Sequence, residues 1–180
     1  MTDDSVVHAA EAAGLLQQIE QRQQATRRAH FAEVFIEGRE FNLSLLATEG
    51  SVPEVLPPAE IDFAAFPAGK PRIVGYQAKW DDRSSEYHQT PRIFDFDAAD
   101  QRLLDQLRHL SRSCWRLFGL RGYARVDFRV DETGRPWILE INTNPCLSGD
   151  AGFAAALVQA GISYDEAIQR ILHDAVAPSR

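Results

Sequence analysis

The chain is 180 residues long, 44% hydrophobic and 25% charged, the make-up of an ordinary globular protein rather than a disordered or fibrous one. Its 19 Lys and Arg against 26 Asp and Glu give a net charge of -7, which excludes a general basic field for nucleic acid or anionic membrane. No apolar run nears the roughly 20 residues that span a bilayer; Asp3 and Asp4 stand where a secretory leader would be positive, and Cys114 and Cys146 make no disulfide framework, so a cytoplasmic protein is expected.

Residues 5 to 24 space Val7, Ala10, Leu15, Leu16 and Ile19 as one side of a surface helix, with Gly14 as its weak point. Phe31 to Ile36 reads as a strand; after a turn at Gly38, Phe41, Leu43 and Leu45 alternate with Glu40, Asn42 and Ser44, which predicts a hairpin. Six prolines between 51 and 91 predict short strands joined by long loops, where function often resides. From Ala98 to Phe118, Leu103, Leu104, Leu107, Leu110, Cys114, Leu117 and Phe118 recur at steps of three and four, and Gly119 follows as a stop: a helix. Residues 123–130 and 137–142 read as strands around a turn at Asp131 to Pro136. An Ala-rich helix runs from about Gly152 to Gly161, and Ser163 with Glu166 forms a capping box for a last helix carrying Ile168, Ile171 and Leu172.

The strand pair 123–142 carries the chemistry. With Val130 opposite Trp137, Asp127 falls opposite Glu140 and Arg125 opposite Asn142, all on one face, while Val126, Phe128 and Val130 point the other way with Leu139 and Ile141. Two carboxylates facing each other repel unless a cation lies between them. An Asp, a Glu and an Asn amide converging make an all-oxygen site for a hard cation, Mg²⁺ before Ca²⁺, while a solvated salt-bridge ladder with the arginines is the alternative. The following Asn142-Thr143-Asn144-Pro145 leads into a helix start, whose free N–H groups suit an anion.

The stretches Gly119-Leu-Arg-Gly-Tyr-Ala-Arg-Val-Asp-Phe and Trp137-Ile-Leu-Glu-Ile-Asn-Thr-Asn-Pro resemble the closing motif of ATP-grasp ligases, most closely the D-alanine:D-alanine ligase branch. Ala32-Glu-Val-Phe-Ile-Glu-Gly-Arg-Glu-Phe resembles that branch's adenine- and ribose-binding strand pair, and Val55-Leu-Pro-Pro-Ala-Glu-Ile, Gly75-Tyr-Gln-Ala-Lys-Trp and Ser85-Glu-Tyr follow in the family's order. The resemblance implies an α+β fold: an ATP-grasp C-terminal lobe over 31–180, mainly antiparallel sheet flanked by helices, with residues 1–30 a helical remnant of the small lobe. It implies ATP and one or two Mg²⁺ ions (or Mn²⁺) as cofactors, with Asp127, Glu140 and Asn142 as metal ligands and Asn142 also a nucleotide contact. Arg125 matches the arginine that stabilises the acyl phosphate and tetrahedral intermediate, and Lys79 a phosphate-contacting lysine. Glu33, Phe35 and Ile36 match the adenine-facing hinge, and Glu40 the ribose-hydroxyl acceptor.

The chemistry so implied is ATP-dependent activation of a carboxylate and its capture by an amine, giving an amide or peptide bond. The partners are then nucleotide and small-molecule carboxylate and amine, with no nucleic acid and no membrane. Two departures from the resemblance follow. Ala151 stands where the D-alanine ligases place a serine for the second amino acid's carboxylate, so an acceptor other than D-alanine is expected. The lysine and glycine-rich loop of the small lobe find no counterpart upstream, so a truncated portion, inactive alone or completed by a second chain, is expected. A non-catalytic nucleotide-binding or interaction module is the alternative, and a two-carboxylate hydrolase a weaker third. Cys146 reads as a packing residue.

Overall fold

The computed structural model describes residues 6–7, 11–66, 69, 71–74 and 89–177. The chain divides into two compact units, Met1–Ile36 with Ala64–Thr90, and Glu37–Phe63 with Pro91–Arg180. The proline-rich stretch leaves the second unit after Phe63 and rejoins it at Pro91.

In the first unit, α1 (Ala12–Thr26) occupies most of the expected helix and buries no residue fully. The strand expected at Phe31 to Ile36 is absent: the segment is irregular, and Phe31 and Val34 are exposed. Exposed side chains gain nothing from a pleated face, so apolar composition alone does not enforce a strand. The hairpin expected around Gly38 is therefore not formed.

The second unit is a six-stranded antiparallel sheet. Its strands are β1 (Arg39–Leu46), β2 (Glu54–Val55), β3 (Ala59–Ile61), β4 (Arg92–Ile93), β5 (Tyr123–Val130) and β6 (Pro136–Asn142), in the order β4-β3-β1-β5-β6 with β2 paired to β1. Its helices are α2 (Gln101–Leu117), α3 (Gly152–Ala160) and α4 (Tyr164–Val176). β1 and β5 are in continuous register from Arg39 opposite Val130 to Leu46 opposite Tyr123. Gly38 enters this pair at a positive φ, and a Cβ there would collide with the Val130 carbonyl, so only glycine fits.

Period-two alternation gives the sheet two chemically opposite faces. Phe41, Leu43 and Leu45 of β1 and Ala124, Val126, Phe128 and Val130 of β5 pack under Leu104, Leu107, Cys114 and Trp115 of α2. The three-and-four spacing of α2 turns those residues to one side, and Gly119, in the left-handed conformation, ends the helix as Leu120 donates back to the Trp115 carbonyl. The opposite face carries Glu40, Asn42 and Ser44 alongside Arg125, Asp127 and Arg129, closed at one end by a second core of Leu46, Leu56, Phe153, Ala156, Leu157 and Ala167. There α3 and α4 attach; Ser163 caps α4 by accepting from the Glu166 N–H at 3.1 Å, as its sequence predicts.

The β5–β6 pairing corrects one expectation. Val130 lies opposite Pro136 and Arg129 opposite Trp137, then Phe128 opposite Ile138, but Asp127 opposite Glu140. Leu139 is the extra residue of a β-bulge, and it and Ile138 are exposed instead of joining the core, while Ile141 does pack against it. The bulge absorbs the one-residue offset, so the functional pairings Asp127–Glu140 and Arg125–Asn142 stand.

Candidate functional site

The polar face of the sheet is ordered by charge. Arg125 and Asp127, two residues apart on β5, share a side, and the guanidinium grips the carboxylate with both nitrogens: Nε to Oδ1 at 2.6 Å and Nη2 to Oδ2 at 2.7 Å. Asn42, directly opposite on β1, donates its amide to Asp127 Oδ1 at 3.0 Å. From the other side β6 brings Glu140, whose Oε1 lies 3.9 Å from Arg125 Nη2. One cation is thus shared by two carboxylates on adjoining strands. Asp127 is only 5% exposed and Glu140 reaches toward solvent, so the pair slopes from the protein interior to its surface.

Burial works against the Arg125 charge, but the hydrogen bonds it donates to Asp127 and the fields of Asp127, Glu140 and Glu40 more than offset it, and its pKa is held above the usual value. One register step away, Arg129 is buried with Nη1 3.3 Å from Glu40 Oε2 and its guanidinium over the Phe63 ring. Glu40 is closed in against Arg129 and only 8% exposed.

Asn142 sits opposite Arg125, and its Oδ1 accepts from the Asn144 N–H at 3.0 Å, closing the turn after β6. Asn144 is held in turn by the Tyr123 hydroxyl, which donates to its Oδ1 at 2.6 Å. Burial raises the Tyr123 pKa, with Cys146 and Tyr164 adding to it. Farther along, Cys146 is exposed, and its hydrogen bond with Ser148 lowers its pKa below the ordinary thiol value.

The sheet therefore brings Arg125, Asp127 and Glu140 together, with Asn142 in register beside them and Glu40 next along the face. Among the described residues no three His, Cys, Asp or Glu side chains cluster, so the oxygen set is two carboxylates and an amide. Glu33 is exposed and, with Phe35 and Ile36, belongs to the first unit. Lys79 lies outside the described residues. Asn42 and Arg129 are participants that sequence reasoning missed. Their signal was the alternation of β1 and β5, but which strand faces β1 is not a local property.

This arrangement, an antiparallel sheet flanked by helices with a carboxylate–arginine row on its polar face, is the C-terminal part of the ATP-grasp ligase fold. The model of the D-ala D-ala ligase C-terminus matches residues 5–173, and the chain belongs to that family. It is 34% identical over 140 residues to a D-alanine--D-alanine ligase of Pelotomaculum thermopropionicum, an alignment covering 78% of this chain and 40% of that protein. The crystal structure of the Bacillus anthracis D-alanine--D-alanine ligase complexed with ATP superposes with a TM-score of 0.63 at 19% identity, covering 92% of this chain and 47% of that one. The D-Ala:D-Ser ligase of Enterococcus faecalis superposes at 0.64 with 16% identity, covering 97% and 47%. The chain spans about two fifths of the length of the curated relatives it matches.

Proposed function

We propose that this chain is the ATP- and metal-binding portion of a carboxylate–amine ligase that joins its substrates in an amide or peptide bond by way of an acyl phosphate. The observation that carries the reading is that Asp127 and Glu140 both face the Arg125 guanidinium, with Asn142 in register beside them. This oxygen set suits Mg²⁺, which accepts few protein ligands and keeps room for water and phosphate oxygens. Asp127, Glu140 and Asn142 would hold one or two such ions, which would supply charge neutralisation for phosphoryl transfer.

The chain's own residues supply the remainder. Asn42 fixes one oxygen of Asp127, so the carboxylate is preorganised. Arg125 is a permanent cation with donors to turn toward developing negative charge on the activated carboxylate. Glu40 is assigned to the ribose hydroxyls, Glu33, Phe35 and Ile36 to the adenine, and Lys79 to the phosphates. Residues 1–30 are assigned to the small lobe and 31–180 to the large one. Carboxylate and amine are the substrate classes, and the loop containing Ala151 is where the acceptor is chosen.

Calorimetric titration with Mg·ADP tests this. Binding in the micromolar to submillimolar range, lost in Asp127→Ala, is expected. No heat at millimolar nucleotide, from a chain whose circular dichroism shows it folded, would favour a non-catalytic module.

A further inference from the structure

A metal site asks more of Asn142 than of its two carboxylates. An ionised carboxylate offers oxygen whichever way it turns, whereas a rotated amide presents its NH₂ group, which repels a cation. What fixes the rotation of Asn142 therefore decides whether it can be a ligand. In this chain the Asn144 N–H donates to Asn142 Oδ1 at 3.0 Å, and a carbonyl oxygen that takes one such bond keeps a second lone pair.

Asn144 is exposed, so water competes for its N–H, and that bond alone would hold the amide weakly. Tyr123 supplies the further restraint. It is the first residue of β5, on the same side of the strand as Arg125 and Asp127. Arg125 lies opposite Asn142, so the antiparallel register extended by two residues sets Tyr123 opposite Asn144, and its hydroxyl donates to Asn144 Oδ1 at 2.6 Å. The Tyr123 ring stands edge-on to Phe153, with centroids 5.5 Å apart and planes at 79°. Phe153 is fully buried in the core of Leu46, Leu56, Ala156 and Leu157. One side chain thus ties the turn after β6 to that core, packing with its ring and donating with its hydroxyl.

We propose that Tyr123 is a positioning residue for the metal site: through Asn144 it holds the Asn142 amide with its oxygen toward the ion assigned to Asp127 and Glu140. This role rests on Asn142 being a metal ligand, as proposed above, and Tyr123 acts on the ion only through Asn144 and Asn142. A hydroxyl that merely stabilised the turn would change unfolding and leave metal affinity alone.

Calorimetric titration of the 180-residue chain with Mn·ADP tests it. Partners that orient a metal ligand directly are worth about ten- to a hundredfold in affinity, so Tyr123→Phe, one step farther out, should weaken Mn·ADP about three- to tenfold. Asn144→Ala should act alike, and the double variant should be no weaker than the weaker single one, because both remove the same bond. Without metal, Tyr123→Phe should speed hydrogen exchange at the Asn144 N–H. Leu104→Val, which trims the core under α2, should leave Mn·ADP affinity unchanged. Asn142→Ala separates the two ways of failing. If it leaves Mn·ADP affinity unchanged, Asn142 is no ligand, and the metal site as proposed fails together with this role. If it weakens Mn·ADP and Tyr123→Phe does not, the role of Tyr123 alone is overturned. Additive losses in the double variant, an Asn144 N–H that exchanges no faster, or an equal loss in Leu104→Val would overturn it as well.

Discussion

The two faces of the same strands divide the labour of the molecule. Under α2, β1 and β5 present only apolar side chains, Phe41, Leu43, Val126 and Phe128 among them, all fully buried. On the reverse, those strands bury charge: Arg129 and Asp127 are as enclosed as much of the core, each beside an opposite partner. A buried charged pair contributes little net stability beside well-packed hydrocarbon, because desolvation offsets much of its attraction. The apolar face therefore accounts for most of the fold's stability, and the buried charges of the polar face contribute little to it.

That contrast can be broken from either side. The largest effect is expected on the apolar face. Phe128→Ala removes a fully buried ring from the centre of β5 and should cost about 3–5 kcal/mol in urea unfolding. A loss below 1 kcal/mol would show that α2 does not clamp the sheet as described. On the polar face, Glu40→Gln weakens the bond to buried Arg129 and should cost about 1.5–3 kcal/mol. If it cost more than Phe128→Ala, the polar face would be the structural one.

The smallest effect lies in the turn joining β5 to β6. Asp131 accepts from the Thr133 hydroxyl, the Trp137 indole and the backbone N–H groups of Thr133 and Arg135, and these bonds, led by the Thr133 hydroxyl, lower its pKa to about 2. A depressed carboxylate stabilises the fold above its unfolded pKa of about 3.9, and that contribution fades as pH falls toward 2. A carboxyl NMR titration of Asp131 should give a midpoint near 2. A midpoint near 4 would mean that the turn does not hold the carboxylate.

Much of this was legible locally. The spacing of Leu103, Leu104, Leu107 and Cys114 marks α2, and alternation on either side of Asp131 to Pro136 marks the β5–β6 hairpin that places Asp127 opposite Glu140. The bulge at Leu139 was not legible, because the turn leaves open whether Val130 pairs with Pro136 or Trp137, and the bulge follows from that choice. Phe31 to Ile36 has strand composition without strand structure: Phe31 and Val34 stay exposed, and such composition favours a strand only on a half-buried face. Asn42 and Arg129 escaped notice because their partners lie 85 and 89 residues away, across a pairing that only the assembled sheet reveals.

The central claim is that Asp127, Glu140 and Asn142 surround one divalent-ion site on the polar face. It is tested most directly by following the side-chain amide signals of Asn42 and Asn142 while Mn²⁺ is added with ADP, Mn²⁺ standing in for Mg²⁺. Both should broaden at substoichiometric metal, and the broadening should vanish in Asp127→Asn with Glu140→Gln. If both amides stay sharp while signals elsewhere broaden, the metal binds outside this face and the account of the site is wrong.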